Sequence, residues 1–164
     1  MYRFIFLLFF CFIQSEFVNL EKAKKVAINQ VIYNDLYADY PEVESVYTIE
    51  ESSLPLIYVI NIKNNSFVLV AGDDRVVPIL GYNFNHYYSD YNHPIQFDDM
   101  LKSFKKQILY VIENNIQSNN EINNQWFLYL TGNIENNNSR NVDPLMSTNW
   151  DQGYPWNEHC PEDN

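Results

Sequence analysis

The end of the chain holds the side chains best suited to covalent chemistry. His159 is followed directly by Cys160, and a thiol whose proton is taken by an imidazole becomes a thiolate, which is a strong nucleophile. Nucleophilic cysteines often open a helix, where the helix N-terminus lowers the thiol pKa. Cys160 precedes a proline, however, and that position is biased away from helical backbone. We therefore expect Cys160 to be a structural thiol, and a hydrolase that uses Cys160 with His159 or His93 is the weaker alternative.

The remaining histidines, His86 and His93, lie in the tyrosine-rich stretch NFNHYYSDYNHP. A zinc site needs several histidine, cysteine or carboxylate ligands at spacings that bring them together. The stretch has no such periodicity, so we expect a polar loop without a metal. The sequence also contains no CxxC, no HExxH and no phosphate-binding glycine loop. We expect no cofactor.

The composition is that of one acidic domain with tails. The chain has 164 residues, of which 46% are hydrophobic, and 10 basic residues stand against 21 acidic ones, a formal charge of −11. Non-specific binding to nucleic acid or to an anionic membrane requires a basic surface, so neither is expected. We interpret the acidity as a source of solubility, with an acidic inhibitory surface for a basic partner as the alternative.

The first 15 residues, MYRFIFLLFFCFIQS, have the pattern of a signal peptide. Arg3 supplies a positive charge, and residues 4–13 form an apolar run that is too short to span a bilayer. We expect cleavage near Ser15 and export. A lipoprotein signal at Cys11 is the alternative, but the residue before that cysteine is not small. After cleavage Cys160 is the single cysteine, which excludes an internal disulfide.

Two amphipathic helices are predicted. The first covers residues 18–37, with an apolar stripe at spacings of three and four, and ends before Pro41. The second lies in HPIQFDDMLKSFKKQILYVIENNI, where the spacing is kept over four turns. The first stripe consists of Leu20, Ala23, Ala27 and Val31, and the second of Phe97, Leu101, Phe104, Ile108, Val111 and Ile112.

Between the helices the sequence predicts strands. The stretch KNNS has the length and composition of a hairpin turn, and Pro78 indicates an edge strand or a bulge. Short connections favour antiparallel pairing. The prediction is an α+β fold: a small antiparallel sheet of three to four strands with flanking helices on one face, followed by a flexible asparagine-rich C-terminal linker. The predicted strands are residues 46–49, 56–62, 67–70 and 76–80.

Asparagine becomes very frequent between residues 114 and 141. Polar tracts of this kind bury too little apolar surface to offset the entropy of ordering, so residues 116–141 are predicted to be a linker. The apolar island WFLYLTG interrupts it. An exposed aromatic patch would be a liability, so we expect this island to dock on another surface.

Three stretches, in order, resemble a known family. FVLVAGDDRVVPILGYN is similar to the strand-turn-strand signature of the Spi-type inhibitor domain, the propeptide of streptopain-like secreted cysteine proteases. EKAKKVAINQV occupies the place of that family's opening helix, and VDPLMSTNWDQGYPWNEHCPED resembles the start of the mature protease. The resemblance implies four segments: signal peptide 1–15, prodomain core 16–115, linker with docking segment 116–141, and the N-terminal fragment of the peptidase domain 142–164.

The resemblance also implies roles for individual residues. Gln152 matches the glutamine that donates to the oxyanion in such proteases, with a simple turn residue as the equal alternative. The family's nucleophile lies in a Gly-Cys-x-Ala-type stretch that this sequence lacks, and the segment that supplies the histidine base is also missing. We therefore expect no peptidase activity from this chain by itself. Processing is expected at Arg140 and Asn141, and inhibitory contacts at Trp126, Phe127 and Leu128.

The expected function is that of a secreted inhibitory prodomain, a truncated zymogen that keeps a streptopain-like protease latent. Its expected partner is the protease domain, in cis or in trans, with no nucleic acid and no membrane after signal cleavage. The alternative is a secreted binding or adhesion module that has lost its protease.

Overall fold

The computed structural model describes residues 17–34, 40–63, 65–91 and 93–134. All of these belong to one compact unit that extends to Ile134. The predicted signal peptide, the processing site at Arg140 and Asn141, and the tail with Gln152, His159 and Cys160 lie outside the described residues.

Helices and strands follow one another in the order α-β-β-β-β-α-α over the described ranges. Their bounds are α1 Leu20–Tyr33, β1 Val43–Glu51, β2 Leu54–Ile62, β3 Ser66–Ala71, β4 Ile79–Asn83, α2 Ile95–Glu113 and α3 Asn120–Thr131.

The four strands form an antiparallel sheet in the order β1-β2-β3-β4, which confirms the predicted fold class. Ser52 and Ser53 make the first turn with φ of 50° and 66°, and Asn65 with φ of 70° lies in the predicted KNNS turn. Strand β4 is at the edge of the sheet and its register with β3 shifts once, as Pro78 indicated. It begins at Ile79, three residues later than predicted.

Helices cover both faces of the sheet, so the prediction of one covered face is wrong. Tyr58 and Ile60 of β2 belong to a core cluster with α1 and α3, whereas Ile57 and Val59 belong to a second cluster with α2. Successive side chains of a strand point to opposite faces. A strand buried on both faces has a continuous apolar run, and β2 has the sequence LPLIYVINI.

Helix α1 confirms the predicted stripe and corrects its ends. Asn19 caps the N-terminus, where its side chain accepts a hydrogen bond from the backbone N–H of Lys22 at 2.8 Å. Small and β-branched side chains on the inner face allow the helix to lie close to the sheet. The fully buried apolar residues of this face are Ala23, Val26, Ala27 and Val31.

Helix α2 has the predicted position and lies on the opposite face. Leu101 and Ile108 are buried in the second cluster, and Phe97, Phe104 and Ile112 pack around them. None of the helices in the described ranges is long and apolar enough to cross a membrane.

Helix α3 overturns part of the linker prediction. Asn119 caps it by accepting from the N–H of Ile122 at 2.8 Å, and Gly132 ends it in the left-handed conformation at φ 74°. Trp126 is buried against α1 and the sheet, and Asn29 of α1 donates to the carbonyl oxygen of Tyr129 at 2.6 Å. Residues 120–131 are therefore part of the folded unit.

Candidate functional site

The motif AGDDR forms a buried corner at the end of β3. Arg75 donates from Nη2 to Oδ2 of Asp73 at 2.7 Å and from Nε to Oδ1 at 2.8 Å. Both side chains are almost completely buried, and the hydrogen bonds to Asp73 raise the pKa of Arg75. The corner also holds the N-terminal segment, because Val18 donates its backbone N–H to the carbonyl oxygen of Gly72 at 2.9 Å. These contacts give the corner a structural role, since they tie the end of β3 to the N-terminal segment.

Residues 84–94, which connect β4 to α2, form a second feature that we call the tyrosine loop. Asn61 near the end of β2 anchors it: the side-chain amide donates to the carbonyl oxygen of Tyr88 at 3.0 Å, and its oxygen accepts from the N–H of Tyr88 at 3.0 Å. Asn61 is buried, so these bonds are shielded from competing water.

The start of the loop is held from the β2–β3 turn. Asn65 accepts from the backbone N–H of Tyr87 at 3.2 Å and donates to the carbonyl oxygen of Asn85. Asn83 accepts from the N–H of Asn85 at 2.8 Å. Side chains thus supply the backbone hydrogen bonds that a loop of this length would otherwise make with water.

The ring of Tyr88 is the hydrophobic anchor of the loop. It is buried and lies edge-on to Tyr47 and Phe67, with ring centroids 5.2 and 6.1 Å away. Its hydroxyl donates to Oδ1 of Asp90 at 2.7 Å. Burial, and then the hydrogen bond to Asp90, raises the pKa of Tyr88.

His93 closes the loop onto α2. Its ring lies 5.5 Å from the rings of both Tyr88 and Phe97. Nδ1 is 2.8 Å from the carbonyl oxygen of Ser89, and Nε2 is 2.7 Å from Oδ1 of Asp98 in the first turn of the helix. The hydrogen bond to Ser89, followed by the one to Asp98, raises the pKa of His93.

The outer side of the loop exposes large apolar surface. Tyr91 is 98% exposed, Tyr87 is 41% exposed, and Ile95 at the start of α2 is 69% exposed. Tyrosine is enriched in protein interfaces because it offers a large contact area with few rotatable bonds. A loop held by buried anchors that exposes these side chains is suited to binding a protein surface.

The predicted contact residues of α3 do not lie together on the surface. Trp126 is 6% exposed and its indole N–H donates to the carbonyl oxygen of Val76 at 2.8 Å. Its side chain is therefore a core residue that offers little surface for the expected inhibitory contact. Phe127 is 59% exposed, and Leu128 is half-buried.

The residue types of the tyrosine loop predicted only a polar loop without a metal. Within the described ranges no group of three or more histidine, cysteine, aspartate or glutamate side chains could hold a metal ion. Two features of the sequence indicated an anchored loop: Asn61 lies within an apolar strand, and tyrosine is unusually frequent further along the chain. A buried polar side chain needs a partner, and here that partner is the loop backbone.

Comparison with known proteins finds similarity over most of this unit. The model of the Spi protease inhibitor family matches residues 13–108. The thiol protease/hemagglutinin PrtT of Porphyromonas gingivalis is 27% identical over 121 residues, which are 71% of this chain and 14% of that protein. The chain thus spans only a small part of the length of this relative. No solved structure matches the chain significantly.

Proposed function

Because the chain belongs to the Spi protease inhibitor family, we propose that it is the secreted inhibitory prodomain of a streptopain-like cysteine protease and keeps that protease latent. The family match carries the proposal, since residues 13–108 include α1, the whole sheet, the tyrosine loop and most of α2. The relative is named a thiol protease, which supports a cysteine protease as the partner, in the same polypeptide or in another chain.

The tyrosine loop is the proposed contact with the protease. Tyr91, Tyr40 and Ile95 are the three most exposed large hydrophobic side chains of the described unit. Of these, Tyr91 and Ile95 lie on either side of His93 in the sequence. Truncation of a central aromatic contact in an interface often costs about 2 kcal/mol or more, roughly thirtyfold in affinity. The loop can therefore carry much of the binding energy with two or three side chains.

The anchoring of the loop favours inhibition. Ordering a loop on binding costs free energy, and a loop that already has its bound shape avoids this cost. Asn61, Asn65 and the ring of Tyr88 fix the backbone of residues 85–88 before any partner arrives. A rigid loop is also a poor protease substrate, because cleavage requires an extended, adaptable backbone.

The test is a titration of a purified streptopain-like protease with the full chain, read as hydrolysis of a fluorogenic peptide. We expect loss of activity at stoichiometric amounts and no effect on papain, a cysteine protease of another family. Tyr91→Ala should weaken inhibition by about tenfold or more. Tyr110→Ala is the matched control, because Tyr110 is 61% exposed on α2, outside the loop, and it should leave inhibition unchanged.

The titration should be accompanied by sequencing of the DNA beyond codon 164. An in-frame Gly-Cys-x-Ala stretch would support a zymogen processed near Arg140 and Asn141, with Gln152 as an oxyanion donor in the mature enzyme. A separate protease gene nearby would support inhibition in trans. If the folded chain leaves the protease identified in this way fully active at micromolar excess, the inhibitor proposal fails and a binding or adhesion module becomes the better proposal.

A further inference from the structure

Both ring nitrogens of His93 face hydrogen-bond acceptors. The carbonyl oxygen of Ser89, 2.8 Å from Nδ1, can only accept a hydrogen bond. The Asp98 carboxylate oxygen, 2.7 Å from Nε2, also accepts when it is ionised. A neutral imidazole has one N–H and can satisfy one of these partners, whereas an imidazolium satisfies both. The geometry therefore fits the charged form of His93.

The surroundings also favour a cation at this position. Asp98 faces the ring from α2, and Asp90 and the hydroxyl of Tyr88 lie on the loop side. The ring is stacked on Tyr88, with an interplanar angle of 19°, and is tilted against Phe97. The side chain is 15% exposed, so solvent screens these interactions only in part.

The side chain of His93 connects the tyrosine loop to α2. Ser89 belongs to the tyrosine loop, and Asp98 belongs to the first turn of α2. The exposed Tyr91 lies between Ser89 and His93, within the segment that this connection closes.

We propose that His93 is a pH-sensitive latch: its imidazolium ties the tyrosine loop to α2, and its deprotonation releases Ser89, Asp90 and Tyr91 and weakens binding to the protease. The effect on binding rests on the proposed function, whereas the latch itself is a property of the isolated chain. The loop anchor at Asn61 and Tyr88 remains in place, so the fold survives the release.

The direction of the pH dependence follows from the shift at His93. Its pKa is raised above the ordinary value of 6.5, so the folded protein holds the proton more tightly than the unfolded chain. The latch therefore contributes fully below about pH 6.5 and is lost as the pH rises through the higher pKa of the folded state. Binding should be stronger on the acid side of this transition than on the alkaline side.

The latch can be tested without a protease. The full chain is titrated by NMR between about pH 5 and pH 9, a range that brackets histidine titration, and the His93 ring and the amides of Tyr88 and Tyr91 are followed. We expect the chemical shift of the Tyr91 amide to follow the same transition as the His93 ring, while that of Tyr88 changes little. His93→Gln should abolish the transition at Tyr91, and Asp98→Asn should move it to lower pH.

His86→Gln is the matched control, because His86 is an exposed histidine of the same loop; this variant should keep the transition. A Tyr91 amide that does not respond to pH, or that responds equally in His93→Gln, would overturn the latch. Circular dichroism at each pH shows whether the variants are folded, and Asp98→Asn supplies a second test if His93→Gln does not fold.

The protease measurement separates the latch from the proposed function. The ratio of inhibition constants between wild type and His93→Gln is taken at each pH, which cancels the protease's own pH dependence. We expect the ratio to change by about threefold or more between pH 6 and pH 9, with wild type favoured at the lower pH. A constant ratio would overturn regulation by the latch, whereas no inhibition at any pH would overturn the proposed function and leave the NMR test of the latch standing.

Discussion

Asn61 and Tyr88 exchange two hydrogen bonds across 27 positions of the chain, from the asparagine side chain to the tyrosine N–H and carbonyl oxygen, both at 3.0 Å. The pair reproduces with a side chain the reciprocal bonding of two residues in an antiparallel ladder. It fixes the tyrosine loop on the face of β2 that packs against α2, and so connects the packing of the sheet to the surface proposed to bind the protease.

The first prediction concerns this pair. Asn61→Ala leaves the N–H and carbonyl group of Tyr88 without their partner in a buried place, and each such group costs about 1–3 kcal/mol. We expect the free energy of unfolding to fall by about 2–4 kcal/mol in chemical denaturation. Asn124→Ala, on the exposed side of α3, is the control and should change stability by less than about 0.5 kcal/mol. Equal stabilities of the two variants would contradict the role of Asn61.

The second prediction follows from the opposite environments of two neighbouring aromatic residues. Trp126→Ala should lower the free energy of unfolding by about 3–5 kcal/mol, because it opens a cavity against α1 and removes the indole bond to Val76. Phe127→Ala, at a side chain that is 59% exposed, should have an effect of about 0.5 kcal/mol or less. Thermal or urea unfolding of both variants gives the comparison. A stable Trp126→Ala protein would mean that α3 docks without its tryptophan.

The elements could be predicted from the sequence where one periodicity dominated. The apolar stripe of α2 and the hairpin between β2 and β3 have such signals, and both are confirmed. The covering of both sheet faces was missed because the order of helix, antiparallel strands and helix was taken to indicate helices on one face only. The run LPLIYVINI of β2 indicated that both faces are covered. In a strand with one face exposed to solvent, polar and apolar residues would alternate.

Helix α3 was hidden by composition. Asparagine has low helix propensity, and its frequency suggested a linker. One of these asparagines caps the helix and another lies on its exposed surface, and both positions suit asparagine. The apolar residues that face the core keep the three-and-four spacing: Ile122, Trp126, Tyr129 and Leu130. The spacing of the apolar residues was thus a better guide than the average polarity of the segment.

The structure of the tyrosine loop could not be predicted from local sequence patterns. Its shape depends on Asn61 and Asn65, which lie 27 and 22 positions before their partners Tyr88 and Tyr87. Hydrogen bonds over such separations follow from the register of β2 and the path of the chain after β4. The residue types predicted a polar loop, and only the fold shows which side of it is anchored.

The third prediction concerns a close approach of two backbones. A Cβ atom added at Gly72 would lie 2.2 Å from the carbonyl oxygen of Pro55 and 2.8 Å from its carbonyl carbon. The backbone cannot move away without breaking the bond from the Gly72 N–H to the carbonyl oxygen of Leu56. We expect Gly72→Ala to destabilise the fold by about 3 kcal/mol or more.

The control for this substitution is Gly81→Ala in β4. Its added Cβ would meet Cδ1 of Leu69 at 3.5 Å, an ordinary contact. This variant should differ from wild type by about 1 kcal/mol or less, since alanine loses less conformational freedom than glycine on folding. Melting temperatures of the two variants decide the matter, and a Gly72→Ala protein that melts with wild type would refute the close approach.

The last prediction sets a buried ion pair against an exposed one. Arg75→Met keeps most of the side-chain volume but leaves Asp73, which is completely buried, without its guanidinium partner. Removing one member of a buried pair typically costs about 3–5 kcal/mol, because the remaining charge is neither solvated nor compensated. Asp73 also pairs with Phe17 in an isolated bridge, so the loss should loosen the N-terminal segment as well.

The control for this substitution is Glu21→Gln, which breaks the pair with Lys24 at 2.8 Å on the exposed face of α1 and should cost at most about 1 kcal/mol. Urea denaturation measures both free energies, and hydrogen exchange at Val18 reports on the N-terminal segment. Similar costs for the two variants, with unchanged exchange at Val18, would show that the AGDDR corner does not hold the fold together.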